Sequence, residues 1–231
     1  MSNNYLRLFY TYPYFFASLL GLAFVLVGYA TAKGQRQAML LAGLGLVPLA
    51  PLAILHEDTY WSPVRLNGGQ LGVEDVLFLF QTGAMSWLLA AAITRRKIHF
   101  NVAVITMIRR HSLLAGLGVT LVLILFFWGL DIMTSSLLAI VGVALTVLTR
   151  QPHLWRLVPA GMLGYSLFYF FSIKICFWIW PDFVTYWNSG NDGLHFFYGV
   201  PAGELAFAVI VGATYPVCLG YGLDARFHIE A

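Results

Sequence analysis

Two short stretches set carboxylates at the head of apolar runs. The first is Gly69-Gln70-Leu71-Gly72-Val73-Glu74-Asp75-Val76-Leu77-Phe78, and the second is Gly199-Val200-Pro201-Ala202-Gly203-Glu204-Leu205-Ala206-Phe207. Each is preceded by an acid and a Thr-Tyr-Trp triplet: Glu57 with Thr59 to Trp61, and Asp182 with Thr185 to Trp187. A carboxyl group tuned by burial and by its neighbours can give a proton to a weak base or remove one. Glu74, Asp75, Glu204 and Lys174 all fall inside apolar runs. Ionisable groups in that setting turn toward a protein interior and mark function. Three carboxylates face one lysine there, and burial with like-charge repulsion favours a neutral acid among such a set. Plainer roles stay open beside this one. Glu74 and Asp75 suit the head of a helix, where acids are favoured. Glu204 can pair with Lys174, and a lysine this near a helix end can reach out to the surface. Trp61 and Trp187 suit an interfacial aromatic belt.

The elements that must position these groups follow from composition. Of 231 residues, 60% are hydrophobic and only 10% charged. Soluble domains carry about 25% charged residues. The pattern predicts an all-α polytopic membrane protein whose first partner is the lipid bilayer. A spanning helix needs about 20 apolar residues, and seven runs approach that: Pro13–Ala30, Ala38–Leu55, Leu71–Thr94, Ser112–Leu130, Met133–Thr149, Leu157–Trp180 and Phe197–Leu223. Ten of the 13 Lys and Arg residues fall between alternate runs or in the tail. Only Arg7 and Arg65 lie on the other side. By the positive-inside rule the N-terminus is outside and the C-terminus cytoplasmic. The segment Ile98–Ile108 is too short to span and is expected to lie along the basic interface.

The two acidic stretches recur in the same orientation. This predicts two parallel three-helix repeats, residues 1–97 and 133–231, joined by an interfacial segment and connector helix over 98–132. Sites commonly form where such repeats meet. On this reading Glu204, Glu74, Asp75, Glu57 and Asp182 are the candidate catalytic groups. Lys174, Phe78, Trp61, Trp187 and Phe207 are candidate substrate contacts, with Phe80, Phe168, Tyr169, Phe170 and Phe171 further candidates for an apolar slot.

Several function classes are excluded. A net charge of +3 is too small to suggest nucleic acid. No dinucleotide fingerprint, P-loop or nucleophile elbow occurs. No Cys/His cluster has zinc spacing, so no metal is expected. Cys176 and Cys218 read as buried thiols. His99, His111, His153 and His228 read as loop residues on the basic side, and His56 and His195 as residues near the acidic rim. Any chemistry is expected to be proton-driven and free of cofactors.

The stretch from Gly69 to Phe78 resembles the signature of the integral-membrane lycopene cyclase domain, which has Pro-x-Glu-Glu-x-x-Phe-Phe at the head of a helix in two tandem copies. Glu74 and Asp75 match the paired acids and Phe78 follows them. In the second copy Pro201, Glu204 and Phe207 match. Gly72 stands where the family has proline, and Gly203 where it has the first glutamate. His56-Glu57 and Pro181-Asp182 take the place of a Trp-Asp pair. The resemblance implies a carotenoid or other linear isoprenoid substrate, cyclised without net redox change. The acid would be Glu204 or Glu74, and the base Asp75 or Glu57. The alternative is a non-catalytic carotenoid- or lipid-binding membrane protein, self-associated or part of a larger membrane complex.

Overall fold

Among the described residues seven helices are long and apolar enough to cross a bilayer, and the chain is an all-α polytopic membrane protein. The computed structural model describes residues 2–57, 59–94, 97–100, 104–187 and 196–228. A short helix α1 (Ser2–Thr11) precedes α2 (Pro13–Thr31) and α3 (Arg36–Leu46), which runs on as a 3-10 helix (Val47–His56). There follow α4 (Val73–Thr94), α5 (Val104–Phe127), α6 (Ile132–Arg150), α7 (Leu157–Ile179) and α8 (Ala202–Gly222).

Local sequence sets several of these boundaries. Pro13 opens α2 where its missing N–H is not needed. Asp131 caps α6, its Oδ1 accepting from the Thr134 amide at 2.9 Å. Within the 3-10 helix, Pro48 and Pro51 offer no N–H to the helical ladder. The chain tightens there to three residues per turn, which aligns every third side chain. Leu46, Leu49 and Leu52 thereby form one row, and all three line the central cavity.

Helices α4 and α8 form the centre. α4 packs on α2, α3, α7 and α8, while α8 packs on α4, α5, α6 and α7. Small residues allow the closest approaches. A Cβ added at Gly161 of α7 or Gly212 of α8 would run into the other's carbonyl oxygen, and one at Gly83 of α4 into that of Ala42. Outside this centre, Leu26, Val27, Leu113, Phe127, Leu163 and Phe171 are exposed, as a lipid-facing surface requires.

The two ends of the bundle differ. At one end the Thr-Tyr-Trp triplets meet. Trp61 and Trp187 form an antiparallel bridge, and the Ser62 amide donates to the Tyr186 carbonyl at 2.8 Å. At the basic end, β1 (Lys97–His99) pairs antiparallel with β4 (Arg226–His228). Before α8, β2 (Phe196–Phe197) and β3 (Val200–Pro201) form a minimal hairpin. Tyr198 and Gly199 turn it with φ of 50° and 77°, the positive values a two-residue turn demands.

Two expectations are corrected. The described residues of the stretch Ile98–Ile108 do not form one interfacial segment, because Ile98 sits buried in β1 and α5 has begun by Val104, while residues 101–103 lie outside the described residues. The final helix starts at Ala202 instead of Phe197, since the positive-φ turn at Tyr198 and Gly199 breaks any helix there. Glu204 is therefore in the first turn of α8 and not deep within it.

Filling the α7–α8 contact tests which surfaces are packed. Gly212→Val is expected to lower the midpoint of thermal unfolding in detergent, by about 1–3 kcal/mol of stability. Gly116→Val, where a Cβ meets nothing within 4 Å, is expected to leave it unchanged or slightly raised.

Candidate active site

The acidic end is organised around a buried arginine. Arg65 is 2% exposed and lies in the loop between the 3-10 helix and α4. Its Nε donates to Asp75 Oδ2 at 2.7 Å and its Nη2 to Asp75 Oδ1 at 3.2 Å, a two-pronged pairing. Its Nη1 donates to Glu57 Oε2 at 2.8 Å. Burial works against the guanidinium charge, but the bonds to Asp75 and Glu57 outweigh it and hold the Arg65 pKa above its ordinary value. Asp75 also accepts from the Gly72 amide at 2.7 Å and from the Tyr14 hydroxyl at 3.1 Å. The Gly72 bond is the reach-back of a helix-capping residue. Asp75 thus caps α4 and holds the ion pair together. Glu74 beside it is fully buried; its Oε1 accepts from the Leu66 amide at 2.8 Å, and its Oε2 has no partner among the described residues.

The second acidic stretch has a different environment. Glu204 is buried in the first turn of α8, near the positive end of the helix dipole. Its Oε1 accepts from the Tyr60 hydroxyl at 2.8 Å and the Trp187 indole N–H at 2.8 Å. Its Oε2 bonds to the Tyr169 hydroxyl of α7. No cation pairs with it among the described residues. Two donors occupy one oxygen, so the other can meet Tyr169 as acceptor or as protonated donor, because a phenol serves either way. The Tyr60 phenol is pushed well above its usual range by burial and then by the Glu204 carboxylate.

Both clusters face one cavity of about 360 Å³. Asp75 and Glu204 lie on its wall with Tyr60, Trp61 and Trp187, and its surface is otherwise mostly apolar. Phe78 and Phe207 line it as a stacked pair, with centroids 6.0 Å apart and planes at 26°. His56 and Ser136 also line it; Ser136 Oγ lies 3.4 Å from His56 Nε2.

Of the residues singled out from sequence, Glu204, Asp75, Phe78, Trp61, Trp187 and Phe207 meet on this cavity. Glu57 and Glu74 stand behind the wall. Asp182 is exposed, and its carbonyl accepts from Thr185 Oγ1 at 2.6 Å. Lys174 is exposed too; its Nζ donates to the Tyr198 carbonyl at 3.1 Å, so the pair with Glu204 does not form. The lysine stem can reach the interface, where its charge is solvated. His195 lies outside the described residues. His111 is no loop residue: it sits in α5, bonded through Nε2 to the Gly45 carbonyl at 2.9 Å, and faces the cavity.

Sequence reasoning passed over Arg65, and it missed Tyr60 as a partner of Glu204. The signal for Arg65 was its setting, one of only two arginines on the acid-rich side and the one that falls between Glu57 and the Glu74-Asp75 pair. Nothing in the spacing could reveal Tyr169 as a partner of Glu204. In comparisons with known proteins, no family model, curated protein or solved structure matches this chain. Fold and site together define its class, a seven-helix membrane protein with an aromatic cavity and two carboxyl groups on its wall.

Removing Arg65 strands two carboxylates. Arg65→Met is expected to cost about 3–5 kcal/mol of stability, read by chemical unfolding in detergent, because breaking a buried pair leaves an uncompensated charge. Adding Asp75→Asn is expected to recover part of the loss. A raised phenol pKa has its own signature. The unfolded chain releases the Tyr60 proton near 10 while the folded chain keeps it, so this contribution is intact below that pH and fades above it. Tyr60→Phe is expected to flatten the fall in unfolding temperature between pH 9.5 and 11.

Proposed function

We propose that the protein binds a linear isoprenoid in the aromatic cavity and that Glu204 protonates one of its double bonds, starting a cyclisation with no net redox change. The observation that carries this reading is a buried carboxyl on the wall of an apolar cavity, held by neutral donors and, among the described residues, free of any paired cation. The proton from Glu204 adds to a terminal double bond and leaves a tertiary cation. The π electrons of a neighbouring double bond form the new carbon–carbon bond and close a six-membered ring. Loss of a proton to a carboxylate restores a double bond, so the product is an isomer of the substrate. Asp75 is the second carboxyl on the cavity wall and takes the role of base, with Glu57 positioning its Arg65 partner. The faces of Trp61, Trp187, Phe78 and Phe207 stabilise the passing cation. Tyr60 occupies the space a side chain at residue 203 would need. In the second stretch it thus fills, with a hydroxyl on Glu204, the place where the cyclase motif has its first glutamate. The excess of Lys and Arg at the opposite end orients the acidic end to the outside.

A second reading is a carotenoid- or lipid-binding protein without catalysis. It is favoured by the saturation of Asp75, whose two oxygens already accept from Arg65, Tyr14 and Gly72.

Expression in a bacterial host that accumulates lycopene, with pigments separated by chromatography and identified by absorption spectra, tests both. The expected result is cyclic pigment with the native chain and none with Glu204→Gln, while the variant still co-purifies with the linear pigment. Bound but unconverted pigment with the native chain would favour the binding protein. Neither binding nor conversion of lycopene by folded protein would remove lycopene as the ligand.

A further inference from the structure

A second pocket lies at the basic end of the bundle, opposite the carboxyl cluster. It sits where α6 leaves the membrane and α7 enters it. Arg150 is the last residue of α6, and residues 152–156 turn the chain to Leu157, which opens α7. The tail comes back over this turn. Asp224 takes a φ of 49°, and the Ala225 amide donates to the Gly220 carbonyl at 2.8 Å. His153 Nε2 donates to the Ala225 carbonyl at 3.0 Å, and Phe227 rests edge-on against the same imidazole with centroids 6.2 Å apart. Arg226 falls between these two contacts. Arg150, Arg156 and Arg226 thus line one pocket of about 550 Å³, with His153 and Trp155 beside them. Leu154, Leu157 and Ala225 are fully buried beneath it, so packing holds its backbone in place.

Charge in this pocket is unbalanced. Three guanidinium groups meet one carboxylate, and Asp224 Oδ2 is committed to Arg226 Nη2 at 3.4 Å. Arg150 and Arg156 have neither an ion pair nor a hydrogen bond among the described residues. The helix dipole accounts for Arg150, since a cation is favoured at a helix C-terminus. It does not account for Arg156. That residue is the N-cap of α7, where the dipole and the guanidinium carry the same sign. An anion placed there satisfies both. Guanidinium N–H groups match the oxygens of a phosphate in particular. The depth suits a lipid. Both helices cross the bilayer surface here, and Trp155, 59% exposed, is the kind of side chain that settles among headgroups.

We infer that this pocket binds the phosphate of an anionic phospholipid from the leaflet at the basic end. Arg150, Arg156 and Arg226 supply the countercharge, and Trp155 gives an apolar rim for the start of the acyl chains. Basic pockets between membrane helices take anionic headgroups in this way. The site is separate from the aromatic cavity and does not depend on what fills it. Free phosphate would meet the same charges without using the indole.

The test is native mass spectrometry of the purified full-length protein, titrated with dioleoylphosphatidylglycerol or with dioleoylphosphatidylcholine. The first phosphatidylglycerol is expected to bind at least about tenfold tighter than phosphatidylcholine. Arg150→Gln combined with Arg156→Gln is expected to abolish that preference. Both side chains are exposed, so the unfolding temperature without added lipid is expected to stay unchanged. Lys33→Gln combined with Arg109→Gln removes the same charge from exposed positions at the same end and is expected to keep the preference. Equal affinity for the two lipids, a preference that survives the arginine pair, or equal loss in both double variants overturns the site. Displacement of the lipid by ammonium phosphate, beyond that caused by ammonium acetate at equal ionic strength, keeps a phosphate site and overturns the lipid as its source.

Discussion

The pairing of Arg65 with Asp75 and Glu57 is the interaction on which the acidic end depends. An arginine with almost no exposure must be neutralised and hydrogen-bonded where it lies. Asp75 and Glu57 do this from the head of α4 and the end of the 3-10 helix. The loop between these elements is thereby pinned over the bundle. That loop carries Tyr60 and Trp61, and Tyr60 is one of three groups that hold Glu204. The loop before α8 reaches the same carboxyl through Trp187. One ion pair in the first half of the chain thus helps fix a carboxyl in the second.

The two acidic stretches use similar residues for different ends. In the first, the acids are spent on structure: Asp75 caps a helix and binds a cation, and Glu74 is sealed behind the wall. In the second, Glu204 is left to neutral donors and faces the cavity. The difference follows from the arginine. A guanidinium beside a carboxylate commits it, whereas phenols and an indole satisfy it without a countercharge. This division supports Glu204, not Asp75, as the proton donor.

The cavity owes its shape to backbone irregularity. A regular α-helix through Leu46, Leu49 and Leu52 would let their row drift by about 60° around the axis at each step. The 3-10 stretch enforced by Pro48 and Pro51 stacks them in a row on one side. Helix α5, which packs mainly on α6 and α8, completes the far wall without filling the space. The glycine contacts at Gly161, Gly212 and Gly83 draw the central helices together elsewhere. The cavity is thus open space within a closely packed bundle.

Composition alone determined that this chain is a bundle of seven membrane-crossing helices, because long apolar runs have no other solution in lipid. The heads of the acidic stretches were also legible, since two carboxylates beside glycine before an apolar run are conspicuous. Their partners were not. Tyr60 and Glu204 are 144 residues apart, and no spacing rule reaches so far. The start of α8 at Ala202 was hidden because Phe196 and Phe197 are as apolar as the helix that follows, and only the positive-φ turn at Tyr198 and Gly199 separates them. Lys174 looked like the natural counter-ion of Glu204 by depth along the chain. The direction in which each helix face turns decides such a pair, and packing turned Lys174 outward to the Tyr198 carbonyl. Sequence set which residues enter the membrane; the tertiary fold decided which of them meet.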